Sequence, residues 1–442
     1  MASRSEELRA YRFATRRLLG AVVSHRSDAS SPQLRRGGGA IGAGVVIAVL
    51  SLAVFAAIGL ISPKAPNWRR NDAVIVEKET GARFVYVDGV LHPVLNYASA
   101  RLVVGLGDAA TVVVSHADLA GAPRGSVLGV PGAPDSLPAA ADMYDGGWSV
   151  CVDAAGDQAT VVSGPTSGGS DAGDAAILAQ ASSGTQYLIW HDHRYRIADP
   201  AVIVSVPLNG SGEPRPVPDV VVNALPPGSD LKAIPFDRGH RSTVGTQSTG
   251  TVVYTGEGAD SRIYGLVRPH DIAVLTPLQK DILVDEGAAG PLQVDQREFD
   301  GATPSIGVGA DWPSDTPAFV GRDASACVSL NAGGAVAAVR VGSTVPTGGV
   351  TAPDGGSRLV VAPGRAVLVR SGAAPGATGA VASAPLYLVT DADERFAIAD
   401  KEALTSLGYA AAKVVTLPSD VLDTLPNGVV LSRAAAQTGA SG

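Results

Sequence analysis

His191-Asp192-His193 sets two imidazoles and a carboxylate within three residues, the local pattern in this 442-residue chain that most invites a metal ion. An internal comparison weakens that reading. QYLIWHDHRYRIADP, from Gln186, has a counterpart in LYLVTDADERFAIADK, from Leu386, and there Asp391-Ala392-Asp393 stands where the imidazoles were. A polar hairpin turn explains both. His25, His92, His116, His240 and His270 are scattered and form no local ligand set. A phosphate-binding loop needs Gly-Lys-Ser/Thr after a glycine-rich turn, and none of the six lysines (64, 78, 232, 280, 401, 413) follows a glycine. Gly105/Gly107 and Gly307/Gly309 do not extend to GxGxxG, and no GxSxG elbow is present. No catalytic residue, metal or bound cofactor is therefore expected. Trp68, Trp148, Trp190 and Trp312 read as core or interface anchors rather than a sugar platform. Cys151 and Cys327 are the only cysteines. In an oxidising compartment two such cysteines are expected to pair; two separate buried thiols are the alternative.

The elements that must hold these residues repeat along the chain. Tyr187-Leu188 and Ile197-Ala198-Asp199 match Tyr387-Leu388 and Ile398-Ala399-Asp400, and each run continues to Leu-Pro-x-Gly, at 225–228 and 425–428. Each unit predicts a hairpin, a short helix begun near the Asp, a further strand, and a helix ended by Leu-Pro-x-Gly. The cysteines lie in a second pair, WSVCVDAAGDQATVVSG (148–164) and ASACVSLNAGGAVAAVRVG (324–342), both alternating strands around a turn. A weaker pair joins 83–105 to 262–285. One half-unit has been copied, which predicts repeats at 64–122, 185–240, 241–300 and 385–442 around core segments 123–184 and 301–384. The glycine- and serine-rich stretches 164–185 and 371–384 read as exposed loops.

Ahead of these repeats, residues 37–63 carry no charge, and Ala40 to Ile61 is apolar throughout. Twenty-two residues at about 1.5 Å each span roughly the hydrocarbon of a bilayer, so 37–63 is expected to be a transmembrane helix. Gly38 and Gly42 form a GxxxG that chance explains in so glycine-rich a run. Residues 1–36 hold eight arginines against Glu6, Glu7 and Asp28, while the rest of the chain is acidic and brings the total to −8. The positive-inside rule puts this tail in the cytoplasm and the body across the membrane. An acidic body argues against a nucleic-acid partner, because phosphate binding needs clustered positive charge. The tail predicts a helix with Leu8, Tyr11, Leu18, Leu19 and Val22 on one stripe. It fits either a helix lying on anionic lipid or a docking helix for cytoplasmic partners. Glycine and proline at 53 and 30 residues suit short strands and many turns. The expected fold is α+β and β-rich: a single N-terminal transmembrane helix plus an elongated pseudo-twofold ectodomain with a central β-sheet core and four α/β repeats.

Tyr11-Arg12-Phe13 with Arg16-Arg17-Leu18 ahead of one membrane helix, and the Tyr-Leu to Asp signature with Leu-Pro-x-Gly at 187–228 and 387–428, resemble the EccB family of type VII (ESX) secretion systems of actinobacteria. The resemblance covers nearly the whole chain. It implies a periplasmic β-rich core with four repeats similar to a phage-lysin binding subunit, and a cytoplasmic contact through Tyr11, Arg12, Phe13, Arg16 and Arg17. It implies an inner-membrane complex with EccC, EccD, EccE and a mycosin protease, with self-association within that complex. The family has been labelled an ATPase, which leaves an unconventional ATP site as one alternative. A cell-wall-binding membrane protein is another.

Overall fold

The computed structural model describes residues 4–24, 34–61, 67–199, 213–258, 261–303, 312–315, 317–353, 357–376 and 384–438. The chain divides into two units, Met1–Pro66 and Asn67–Gly442. The first holds two helices, α1 (Arg4–Ser24) and α2 (Leu34–Ile61). Helix α2 contains most of the uncharged run. Its side chains are described over 41–55, and among the described residues no helix is long and apolar enough to cross a membrane. The last two positions of the expected span, 62 and 63, lie outside the described residues, as does the side-chain environment of Gly38.

The second unit is built from one motif used four times. Strands β1 (Ala73–Glu77), β2 (Arg83–Val87) and β3 (Val90–Pro93) form an antiparallel meander; helix α3 (Tyr97–Val104) then returns the chain so that β4 (Ala110–Val114) runs parallel to β1. Helix α4 (His116–Leu119) follows. Asn96 starts α3 by accepting the Ser99 N–H at 2.9 Å. The hairpin β5 (Trp148–Val152) and β6 (Ala159–Ser163) and strand β7 (Ser167–Asp171) come next. The second repeat holds β8 (Ala175–Gln180), β9 (Gln186–Trp190), β10 (His193–Arg196), β11 (Arg215–Pro216) and helix α5 (Asp219–Asn223). The helix expected just after Asp199 lies outside the described residues. The third holds β12 (Thr251–Thr255), β13 (Ile263–Val267), β14 (Ile272–Leu275), helix α6 (Pro277–Asp285) and β15 (Ala289–Gln293). Thr276 and Gln279 cap α6 reciprocally. After β16 (Ala318–Phe319) come β17 (Ala326–Leu330), β18 (Val336–Thr344), β19 (Val350–Thr351) and β20 (Arg358–Val360). The fourth repeat is β21 (Ala366–Gly372), β22 (Leu386–Thr390), β23 (Arg395–Ile398), helix α7 (Lys401–Leu407) capped by Asp400, β24 (Val414–Pro418) and helix α8 (Ser419–Leu422), with α9 (Arg433–Gln437) closing the chain.

All four sheets share one order, third strand, second, first, fourth. In each, the outer edge of the third strand is covered by a later segment, through bridges Leu91↔Arg124, Arg194↔Pro227, Ala273↔Thr303 and Arg395↔Asn427. The first strands β8 and β21 precede residues 185 and 385, so the second and fourth repeats begin earlier than expected. The stretch 164–185 is not a loop. Its SGGSD half is β7, where pairing needs only backbone, and its AAILAQ half is β8, whose four central residues are buried. Likewise β21 runs into the stretch 371–384, of which 377–383 lie outside the described residues.

A seven-stranded sheet joins the halves in the order β19-β20-β6-β5-β17-β18-β7. At its centre β5 and β17 pair antiparallel, Trp148 opposite Leu330 and Val152 opposite Ala326. A later strand of each half crosses to the other: β7 pairs with β18, and β20, beyond the short β19, with β6. The exchange breaks the symmetry, because the first pairing is antiparallel and the second parallel. One core lies between this sheet and the repeats, where α5 and α8 meet and Trp148, Leu225, Leu359, Leu417 and Leu425 are buried. A second joins the first and fourth repeats through Leu102, Phe396, Leu407 and Tyr409, and a third joins the second and third through Trp190, Tyr195, Leu266 and Ile282. In the second, α3 packs on α7 and α9, and the Tyr409 hydroxyl donates to the Pro138 carbonyl at 2.8 Å.

Candidate functional site

The seam between the halves brings the two cysteines together. Cys151 and Cys327 face each other directly across β5 and β17, with Cα atoms 4.0 Å and sulfurs 2.07 Å apart. Both are fully buried, so the disulfide is a clamp in the sheet rather than an exposed redox group.

The tail residues Tyr11, Arg12, Phe13, Arg16 and Arg17 all lie on α1, and all are exposed within their unit. At 3.6 residues per turn Tyr11 falls on the stripe of Leu8, Leu18, Leu19 and Val22, Arg12 borders that stripe beside Leu19, and Phe13, Arg16 and Arg17 fall around the other side. The helix therefore presents an apolar face and a basic face carrying one phenylalanine; the five residues do not form one cluster.

His191-Asp192-His193 forms the tight turn between β9 and β10, with His191 and Asp192 at φ 45° and 61°. Its polar atoms are engaged locally. His191 Nε2 lies 2.9 Å from Asp174 Oδ1, and His193 Nδ1 lies 2.8 Å from the His191 carbonyl. Asp192 Oδ1 accepts the Val339 N–H at 2.7 Å. In the fourth repeat Asp393, also left-handed at φ 59°, accepts the Val361 N–H at 2.8 Å. These turn carboxylates fasten repeats to the central sheet, and burial raises the Asp393 pKa. Among the described residues no group of histidine, cysteine and carboxylate is arranged to hold a metal ion. Trp68, Trp148, Trp190 and Trp312 are 1–6% exposed, embedded in cores.

Two cavities adjoin the central sheet. One, of about 410 Å³, is walled by Asp171, Asp174, Trp190, His191 and Asp192; the other, of about 540 Å³, by Asp157, Gln158, Ser182, Asp219, Ser357 and Thr424. Neither lining holds a lysine or arginine, and both hold aspartates, which disfavours a polyphosphate.

A role for glycine in Leu-Pro-x-Gly emerges only in three dimensions. A β-carbon on Gly428 would stand 2.6 Å from Phe396 Cδ1, one on Gly228 2.5 Å from Tyr195 Cδ1, and one on Gly125 2.8 Å from His92 Nε2. In each case a ring from the third strand lies against the glycine. The peptide bonds back to that strand: Gly428 N–H to the Arg395 carbonyl and Gly228 N–H to the Arg194 carbonyl, each 2.8 Å, and Gly125 N–H to the Leu91 carbonyl, 3.1 Å. The first repeat thus has its own version at Pro123-Arg124-Gly125, which the sequence comparison missed because no leucine precedes the proline. A ring 32 or 33 residues before the glycine of a Pro-x-Gly, in all three repeats, was the available signal.

In the third repeat Arg268 Nε donates to Asp271 Oδ1 at 2.7 Å, and Thr303 Oγ1 also reaches the carboxylate. These bonds hold the Asp271 pKa below its ordinary value. A depressed carboxylate contributes stability that is present above its unfolded pKa, about 3.9, and is lost as pH falls through the folded value. The stability gap between wild type and Asp271→Asn should therefore narrow as pH is lowered from about 6 to about 2. A gap independent of pH in denaturant melts would show that the pair adds nothing.

The fold defines a class first: a strand-rich α+β scaffold made by duplication, each half lending a strand to the other. The family model described as "Type VII secretion system ESX-1, transport TM domain B" matches residues 2–442. The chain is 30% identical over 437 residues to the ESX-5 secretion system ATPase EccB5 of Mycobacterium tuberculosis, covering 88% of this chain and 85% of that protein. It is 27% identical over 464 residues to the ESX-3 secretion system ATPase EccB3 of Mycolicibacterium smegmatis, covering 96% and 88%. A chain of an intact ESX-5 inner membrane complex superposes with a TM-score of 0.68 at 25% identity, covering 100% of this chain and 96% of that one. A chain of an EccB3 dimer from the ESX-3 core complex does so at 0.65 and 26%, covering 83% and 100%. The chain belongs to the EccB family of type VII secretion components.

Proposed function

We propose that this chain is a non-catalytic structural subunit of a type VII secretion inner-membrane complex, making assembly contacts in the periplasm. In this reading residues 37–63 cross the membrane once, 1–36 face the cytoplasm, and the acidic body lies outside. The observation that carries it is the correspondence along the whole chain with a subunit of an assembled ESX-5 inner membrane complex. Helix α2, which contains most of the uncharged run, supports the anchor, and the arginine-rich tail supports the orientation. An oxidising periplasm would preserve the Cys151–Cys327 bond. The exposed faces of α1 would meet cytoplasmic parts of the machine. The expected partners are the EccC, EccD and EccE subunits, the mycosin protease and further copies of the chain.

An affinity-tagged full chain, extracted from native membranes in mild detergent, should bring down other type VII membrane subunits identified by mass spectrometry. Recovery of the chain alone would sink the assembly reading. Purified chain should show no ATP hydrolysis that persists through further purification and scales with protein; such activity would sink the non-catalytic part. A C-terminal reporter active only in the cytoplasm would reverse the topology.

A further inference from the structure

The four repeats dispose of their fourth-strand edges differently. On β24 the Thr416 N–H, which points away from β21, donates to the Ala332 carbonyl of the β17–β18 turn at 2.8 Å. On β11 Pro216 has no N–H to offer, and the β5–β6 turn presses on it so closely that a β-carbon at Gly156 would stand 2.5 Å from the Pro216 carbonyl oxygen. On β15 Pro291 sits in the strand and the register to β12 shifts. Proline and covering turns are the usual ways of closing a sheet edge. Strand β4 uses none of them. Its sequence, ATVVV, has no proline and no charge, and Val113 is 53% exposed. The Val114 carbonyl accepts the Lys78 N–H at 2.8 Å, which sets the phase of the ladder. Ala110, Val112 and Val114 turn their backbone groups to β1, and Thr111 and Val113 turn theirs outward. Among the described residues no hydrogen bond covers the outward backbone of Thr111 and Val113.

We propose that β4 is a strand-addition edge whose occupant is β4 of a second copy, paired antiparallel about Val112. This rests on the reading of the chain as an assembly subunit and names one of its contact surfaces. The argument for a second copy is self-complementarity. Pairing about Val112 sets Ala110 opposite Val114 and Thr111 opposite Val113, β-branched or small residues throughout, with no like charges opposed. The two four-stranded sheets would join into one of eight. A solved relative of similar fold is itself a dimer.

The test uses full-length chain in native membranes. Two differently tagged copies, one Thr111→Cys and one Val113→Cys, are co-expressed and mildly oxidised. The native cysteines are buried in their own pair and do not compete. A disulfide between the two tags is expected, with none when Val127→Cys, exposed elsewhere in the same repeat, replaces Val113→Cys. In detergent, Val113→Pro should weaken self-association by about tenfold or more, because it removes an outward N–H while leaving the bonds to β1. Val113→Thr should not. An unchanged melting transition in the proline variant excludes misfolding as the cause; if that variant melts early, the crosslink alone decides. No crosslink between tags, or a crosslink to a different polypeptide, overturns the β4 pairing. Co-purification of other type VII subunits in the same membranes reports separately on the assembly reading, so the two can fail independently.

Discussion

Replacing Cys151 and Cys327 together by alanine should lower the unfolding free energy by about 5 kcal/mol. The bond closes a loop of 176 residues, and the chain-entropy model assigns a cost of that order to leaving such a loop open in the unfolded state. The folded sheet should survive, because β5 and β17 keep their register through Val150 opposite Val328 and Ser149 opposite Ser329. Denaturant melts of full-length chain with and without reductant measure the difference. A loss below about 1 kcal/mol would mean that the sheet alone holds the halves and that the thiol pair is incidental.

Phe396→Ala should cost about 3–5 kcal/mol, the range for removing a fully buried aromatic ring. Phe396 is 1% exposed and sits in the core shared by the first and fourth repeats. It also covers Gly428, so Gly428→Ala should cost about 1–3 kcal/mol by overpacking. The two changes touch, and their costs should not add: once the ring is gone, the new methyl group has room. A double-mutant cycle measures this coupling. Simple additivity would show that the ring and the glycine are not the matched pair their geometry describes. The same cycle on Tyr195 and Gly228 should give the same sign.

The duplication was legible in advance because its strongest markers are local. Tyr187-Leu188 and Tyr387-Leu388 lie on matching second strands, Asp400 caps the helix expected near it, and the segments around Cys151 and Cys327 are the matching hairpins. The weaker match of 83–105 with 262–285 also pairs equivalent elements, β2 with β13, β3 with β14 and α3 with α6. What escaped notice was nonlocal. Strand β8 follows a glycine- and serine-rich run, β21 leads into one, and neither carries a motif of its own, so loop composition masked them. Strand β7 is SGGSD, a sequence with no strand propensity, held because the backbone of β18 is waiting 170 residues away. The carboxylates Asp192 and Asp393 read from the sequence as polar hairpin-turn residues, Asp192 also lying in the run that invited a metal ion. Their partners, Val339 and Val361, lie 147 and 32 residues away in sequence, outside the hairpins that carry the carboxylates. The first repeat's Pro-x-Gly was hidden because Ala122 replaces the leucine before the proline and His92 stands in place of the tyrosine and phenylalanine of its relatives.

The crossed placement of β7 and β20 has a consequence for biogenesis. A polypeptide delivered N-terminus first arrives with β5, β6 and β7 long before their mates. The strand that flanks β6 lies at 358–360, and the one that receives β7 lies at 336–344. Until those residues emerge, the early half exposes a valine-rich ribbon and an unmatched thiol, the kind of intermediate that invites chaperones and wrong pairings. Truncations ending before residue 336 should be recovered as degraded or aggregated material rather than as a stable half-molecule.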